Sequence, residues 1–336
     1  MRDGPVAKTP GPCRAWFLVR SLVREHHLVP GGTRGTQDAC APSKMPYCVT
    51  SALIMKWQLA RRALECSGHP LIMGIVNVTP DSFSDGGHFY AVDDAVRQAA
   101  QLIDEGADII DVGGESTRPA ANRAEITPDE EMRRVVPVIA ALARRFTTPL
   151  SVDTTKPAVA RAALDAGAEI INDISGLRFA PELADVAAAT RAGLVLMHLR
   201  GTLANMHTLP PVADIWAELH AGLGWSIAEA ERRGVARAAL VIDPGIGFGK
   251  SQEQNITLAA RPDLLAELFT GFPVLLGTSR KSFIGRILDN APPAARESGT
   301  LATLVYAALR GAHIVRVHNV KAAYDTLRVA VALKNV

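Results

Sequence analysis

From Leu71 onward, short apolar runs alternate with longer segments of helical periodicity. The runs are Leu71–Asn77, Asp108–Val112, Leu150–Asp153, Glu169–Asn172, Gly193–His198, Ala239–Asp243, Val274–Gly277 and Ile314–Val317. Between them, apolar residues recur at i, i+3, i+4 spacing. Val92, Ala95, Val96, Ala99, Leu102 and Ile103 make the first such face, and Val320, Tyr324, Leu327 and Val331 the last. Gly106, Gly167, Gly193, Gly234 and Gly311 each fall where a helix must stop before the next strand. Repeated βα units favour parallel strands joined by right-handed crossovers. Eight of them in a row predict one closed (β/α)8 barrel, a TIM barrel. A doubly wound open sheet would instead spread the polar strand ends along a crevice. Here the strand ends bring Asn77, Asp111, Asp153, Asn172, His198, Asp243, Arg280 with Lys281, and Arg316 with His318, a set that suits a ring of loops over one mouth.

Residues 1–54 show no such pattern. They mix Pro, Gly, Thr and Arg without lasting periodicity and are expected to be disordered. Met55 could equally be the true start of translation, which would make 1–54 a mis-annotated extension; residues 55–336 then form the barrel domain. The segment is Arg-rich and acid-poor, as targeting segments are, but lacks a sustained amphipathic pattern. It holds seven Lys/Arg and three Asp/Glu, leaving 29 basic and 31 acidic residues for the rest. The basic balance of the 336-residue chain therefore comes from the extension, and the barrel gives no case for nucleic-acid binding. All four cysteines (Cys13, Cys40, Cys48, Cys66) precede the first barrel strand, with no metal-site spacing, so a reducing cytoplasm is the expected setting. No apolar run approaches the ~20 residues that span a bilayer.

The loops after the strands carry the chemistry. Asn77–Gly87 reads NVTPDSFSDGG, Ile109–Pro119 reads IIDVGGESTRP, Asp243–Lys250 reads DPGIGFGK, Gly277–Gly285 reads GTSRKSFIG, and Arg316–His318 reads RVH. Asp153, Asn172 and Asp243 would converge at the mouth, where buried acids and amides are costly unless a ligand with matching donors satisfies them. The bland alternative makes them N-caps of the following helices. Arg280, Lys281, Arg316 and His318 lie on the seventh and eighth loops, the usual phosphate position in such barrels, with Arg118 presented from the second. His198 and His207 read as satisfied structural groups.

This set of motifs, in this order, resembles the dihydropteroate synthases, a family of pterin-binding barrel enzymes, over about Leu71 to Leu333. The resemblance implies condensation of 6-hydroxymethyl-7,8-dihydropterin diphosphate with 4-aminobenzoate, giving 7,8-dihydropteroate and diphosphate. It assigns pterin binding to Asp153, Asn172, Asp243 and Lys281, and diphosphate binding to Thr117, Arg118, Arg316 and His318. Phe83, Pro119, Phe248, Lys281 and Ser282 would hold the aminobenzoate, and Asn77 would be the protein ligand of Mg2+. Asp111, Arg118, Lys281, Arg316 and His318 are the expected catalytic set, with leaving-group stabilisation and orientation in place of a strong base. Loops 78–90 and 114–126 are expected to close once diphosphate and metal are present. Small-molecule substrates, no membrane and a homodimer complete the expectation.

Three positions depart from the family pattern: Ala120 stands for Gly, Leu199-Arg200 for Met-Gln, and Asn319 for Asp. A corrinoid-linked methyltransferase would have no use for the Arg280-Lys281 pair or the NVTPDSFSDGG loop. A non-catalytic pterin binder would most simply lack diphosphate ligands, and these are present. Because residues 1–54 carry no core-forming pattern, their deletion is expected to leave activity and melting temperature unchanged, as calorimetry of the truncated protein would show.

Overall fold

The computed structural model describes residues 55–78, 87–115, 126–334 and 336; the expectations for 1–54 concern residues outside these. A hairpin of β1 (Lys56–Gln58) and β2 (Ala63–Glu65) precedes eight strand–helix units. The units run β3 (Leu71–Asn77), α1 (Gly87–Asp104), β4 (Ile109–Gly113), α2 (Pro128–Arg145), β5 (Leu150–Asp153), α3 (Pro157–Asp165), β6 (Ile170–Asp173) and α4 (Leu183–Thr190). They continue with β7 (Gly193–Met197), α5 (Ile215–Arg232), β8 (Leu240–Asp243), α6 (Gln252–Ala260), α7 (Pro262–Leu268), β9 (Leu275–Leu276), α8 (Ser282–Ile287), α9 (Glu297–Leu309), β10 (Ile314–Val317) and α10 (Val320–Lys334). The eight strands pair in parallel in the order β8-β7-β6-β5-β4-β3-β10-β9. A parallel bridge between Ile242 and Val274 closes β8 onto β9, and the barrel is complete. Among the described residues no helix is long and apolar enough to cross a membrane.

Side chains alternate across a strand, and that period of two builds the interior in layers. Met73, Ile109, Ile170, Val195, Val241, Leu275 and Ile314 form one buried apolar cluster. Two residues further along their strands stand Asp111, Asn172, Asp243 and Arg316, with Asp153 two residues past Ser151. The polar mouth therefore sits on an apolar plug. The alternate residues, such as Ile72, Ile110, Ile171 and Ile242, pack outward against the helices in the larger cluster.

The hairpin, which has no counterpart in the sequence expectations, finishes that plug. Trp57 is fully buried with the interior cluster, and its indole N–H donates to the Ala239 carbonyl at 2.8 Å. Arg62 reaches across to Glu169 and to the Thr147 carbonyl. Gly193 is where the hairpin lands: a Cβ there would lie 2.5 Å from Leu59 and 3.0 Å from Trp57. The expected role of Gly193 as a helix stop is thus corrected. Arg191 ends α4 in the left-handed region (φ 55°), whereas Gly106, Gly167, Gly234 and Gly311 do adopt positive φ after their helices.

Seven strand positions match the alternation to within a residue or so, and the seventh strand is shorter than expected. Only Leu275–Leu276 forms a ladder, with Val274 held by the bridge and by His313. The Val274 N–H donates to Nδ1 of His313 at 3.1 Å, so the ring must be unprotonated there. Burial lowers the His313 pKa below 6.5. Its neutral form thus stabilises the fold fully above pH 6.5, and the contribution fades as pH falls below that value. His313→Asn, which keeps an acceptor but cannot protonate, should flatten the acid limb of a urea-denaturation profile by up to about 1.4 kcal/mol per pH unit. An unchanged slope would remove His313 as the cause.

Candidate active site

The strand ends meet as the layering requires. Arg316, from β10, donates through Nε to Asp111 Oδ2 and through its terminal nitrogen to Asp153 Oδ2, each at 2.7 Å. Asn172 Nδ2 donates to the same Asp111 oxygen at 3.0 Å. Asp111 is fully buried, and its Oδ1 has no hydrogen-bond partner among the described residues. Burial drives the Asp153 pKa up to about 7; Arg316 opposes this, and neighbouring Asp111 and Glu131 reinforce it. The helix-cap alternative for Asp153 fails, since Lys156 is the N-cap of α3 and uses no side-chain bond.

Asp243 lies on the opposite strands of the mouth. Its Oδ1 accepts from the Gly245 N–H at 2.6 Å, and burial raises its pKa. It too is no helix cap, because α6 begins at Gln252 with Ser251 in a capping box. Lys281 faces it: burial lowers the lysine pKa to about 8, partly offset by Asp243 and Asp153. The Lys281 ammonium sits 4.1 Å from the centre of the Phe248 ring. Phe248 in turn packs with Ile174, Met197, Leu199 and Met206 in a small apolar cluster on this side of the barrel. Ser282, the first residue of α8, is exposed.

His318 closes the ring of groups. Its Nδ1 lies 2.9 Å from Ser279 Oγ, and its main-chain N–H donates to the same oxygen at 3.3 Å. Asn77, half-buried at the end of β3, pairs in register with Gly113. A Cβ on Gly113 would stand 3.9 Å from Asn77 Oδ1 and 3.8 Å from Asp153 Oδ2, so the missing side chain keeps both oxygens open to the mouth. No group of three His, Cys, Asp or Glu able to hold a metal occurs among the described residues. One amide oxygen beside an open space fits a magnesium ion held mostly by a ligand's phosphates and water.

The comparisons decide the family. A family model described as pterin binding enzyme matches residues 73–318. Escherichia coli dihydropteroate synthase is 48% identical over 265 residues, covering 79% of this chain and 92% of the relative. The chain belongs to the dihydropteroate synthase family of pterin-binding enzymes. The Synechocystis enzyme is 47% identical over 262 residues, 78% of this chain and 89% of that one. Among solved structures, Xanthomonas albilineans dihydropteroate synthase with 4-aminobenzoic acid superposes with a TM-score of 0.77 at 45% identity, covering 84% of this chain and 99% of that one. The same enzyme in complex with 7,8-dihydropteroate gives 0.74 at 44% identity with the same coverage.

Within this family frame, the structure brings together Asn77, Asp111, Asp153, Asn172, Asp243, Phe248, Lys281, Arg316 and His318. Phe83, Thr117, Arg118, Pro119 and Ala120, and with them most of the two loops expected to close, lie outside the described residues. Arg280 departs from expectation: with φ of 58°, it lies beside Glu297 of α9, and only its neighbour Lys281 joins the mouth. His198 is buried, but it is not the satisfied group expected. Its Nδ1 has no partner among the described residues, and burial pushes its pKa down to about 2. Sequence reasoning passed over Lys250, whose buried ammonium donates to the His198 and Phe248 carbonyls and whose pKa burial lowers to about 7. It also passed over Lys156, which joins Glu115 and Glu131 at 2.6 Å each.

Two of the departures have local answers. Leu199 fills the apolar cluster beside Phe248, and Arg200 donates to the Gly249 and Pro210 carbonyls, tying the loops after β7 and β8 together. Asn319 accepts from the Ala322 N–H at 3.1 Å and so caps α10, as expected of an Asp replacement.

Removing Arg316 would strand the buried Asp111 carboxylate and the half-buried Asp153 carboxylate. Arg316→Met should cost about 3–5 kcal/mol of unfolding free energy at pH 8. The cost should shrink toward pH 5 as Asp153 protonates, which paired urea titrations would measure. A loss independent of pH would mean the fork matters through packing alone.

Proposed function

We propose that this chain is a dihydropteroate synthase of folate biosynthesis, joining 6-hydroxymethyl-7,8-dihydropterin diphosphate to 4-aminobenzoate with release of diphosphate. The observation that carries the reading is the hydrogen-bonded cluster of Asp111, Asp153, Asn172 and Arg316 at the strand ends, with the buried Asp243 bonded to the Gly245 N–H and Lys281 held over the Phe248 ring. A dihydropterin ring offers an amino group beside a ring N–H, and a carboxylate can accept both in two-point fashion. Asp243 and Asn172 bind that edge, and Lys281 supplies a donor to the ring's acceptors while its stem lines the aminobenzoate side with Phe248 and Ser282. Phe83 and Pro119 belong to that side by resemblance.

The reaction forms a bond from the aniline nitrogen to the pterin methylene and breaks the methylene–oxygen bond to diphosphate. The aniline nitrogen is neutral at pH 7 and gives up its proton to solvent after attack. No strong base is needed, so the chain's contribution is orientation and stabilisation of the leaving group. Arg316 and His318, with Thr117 and Arg118, receive the diphosphate as its charge grows. Asp111, held at the pterin side by Asn172 and Arg316, stabilises positive charge left on the methylene. Asn77 would hold the Mg2+ that accompanies the diphosphate, where it supplies Lewis-acid stabilisation of the departing oxygens. The enzyme acts in the cytoplasm as a homodimer.

Diphosphate release from both substrates in the presence of Mg2+, with dihydropteroate identified by mass, tests this reading; no turnover would overturn it. Asp243→Ala should weaken pterin binding by roughly 2–4 kcal/mol, since the pterin's donors are left unpaired. Asp243→Asn keeps an acceptor for the Gly245 N–H and serves as the folding control. Unchanged pterin affinity by calorimetry would displace the pterin site from this mouth.

A further inference from the structure

Ser279 lies on the loop after β9, next to β10, and is almost completely buried. Its hydroxyl oxygen accepts the main-chain N–H of His318 at 3.3 Å and lies 2.9 Å from that residue's ring Nδ1. Among the described residues these are its two contacts. The hydroxyl hydrogen then has one acceptor available, the Nδ1 lone pair. If Nδ1 carried the hydrogen instead, it would donate to Oγ, and the buried hydroxyl hydrogen would be left without an acceptor. The tautomer that satisfies both Nδ1 and the Ser279 hydroxyl places the ring hydrogen on Nε2. A histidine's tautomer is set by the bond its other nitrogen makes.

We propose that Ser279 is a positioning residue that fixes His318 as an Nε2–H donor and so presents it ready-made to the leaving diphosphate. The catalytic part of this inference rests on the assignment of His318 to the diphosphate; the tautomer itself does not. A neutral Nε2–H bond strengthens as negative charge develops on the departing oxygens, so its benefit falls on kcat more than on KM. Ser279 also binds backbone and ring of the same residue from the adjacent strand end, which fixes the ring plane as well as the proton.

Long-range 1H–15N correlation spectra of the imidazoles give the test, with the His318 signals assigned by their loss in His318→Gln. In the unaltered protein, neutral His318 should show the Nε2–H pattern, and Mg2+ with inorganic diphosphate should shift that Nε2–H resonance. Ser279→Ala should give mixed tautomers and lower kcat by about tenfold or more, as misplaced histidine tautomers do elsewhere. KM for 4-aminobenzoate should stay unchanged, and Ser279→Thr should restore both tautomer and kcat. An Nδ1–H pattern in the unaltered protein, or an unchanged tautomer in Ser279→Ala, would overturn the proposal. Absence of turnover in the unaltered protein would instead count against the synthase reading, while the spectra still decide the tautomer.

Discussion

Carboxylates at the top of an apolar barrel are tolerable only with a counter-charge, and in this fold one guanidinium supplies it to two of them. The alternation along β4 and β5 places Asp111 and Asp153 two residues past the buried Ile109 and Ser151 on the inward face, where ionised groups lose their hydration. Arg316 reaches them from β10, four strands of sheet order away from β6 on the other flank, and the fork ties the barrel across its mouth. The bonds are charge-assisted and two-point, which suits arginine and not lysine. Desolvation still outweighs the attraction at Asp153, whose pKa stands near 7. The mouth is consequently short of donors. A ligand edge rich in N–H groups is the natural complement to such a site, and a dihydropterin has one.

The rest of the mouth follows from how neighbouring loops are tied. Lys250 spans two carbonyls from different loops, and Arg200 spans two more, so the chain after β7 and the chain after β8 form one unit around Phe248. Gly245 permits this closeness, since a Cβ there would fall 2.0 Å from the His198 carbonyl oxygen. Where this sequence departs from the family pattern at 199 and 200, the substitutes enter these same contacts.

The barrel was readable because its signal is repeated and local: each strand announces itself by an apolar run and each helix by its periodic face. The acids and cations were readable for a related reason, since a polar residue two positions past a buried one must share its side of the strand. What escaped depends on distant partners. The hairpin before β3 has too little pattern of its own, and only Trp57 docking on Gly193 gives it a place. Arg280 and Lys281 are adjacent and look alike in sequence; a left-handed turn at Arg280 sends one to Glu297 and the other to the Phe248 ring. His198 sits beneath Gly222, where a Cβ would press within 2.4 Å of the ring, a contact between β7 and α5 that no local rule encodes.

The two halves of the mouth rest on unequal foundations. The strands that carry Asp111, Asp153, Asn172 and Asp243 are joined by continuous parallel ladders from β4 to β8. Lys281 follows β9, which lies at the seam, contributes two residues, meets β8 at a single bridge and pairs with β10, the strand before His318, at only two positions. Side chains replace the missing ladder there. His313 accepts the Val274 N–H, Thr278 bonds Thr303, Arg296 donates to the Arg280 carbonyl, and Ser279 holds His318. A ladder fixes backbone position, whereas these contacts also hold side chains in place. The recognition of a flat ring edge needs only well-placed acceptors, which regular strands provide. Stabilising charge as it develops on a leaving group needs donors with their hydrogens already directed, and in the reaction proposed above that task falls to the half where side-chain bonds stand in for the sheet.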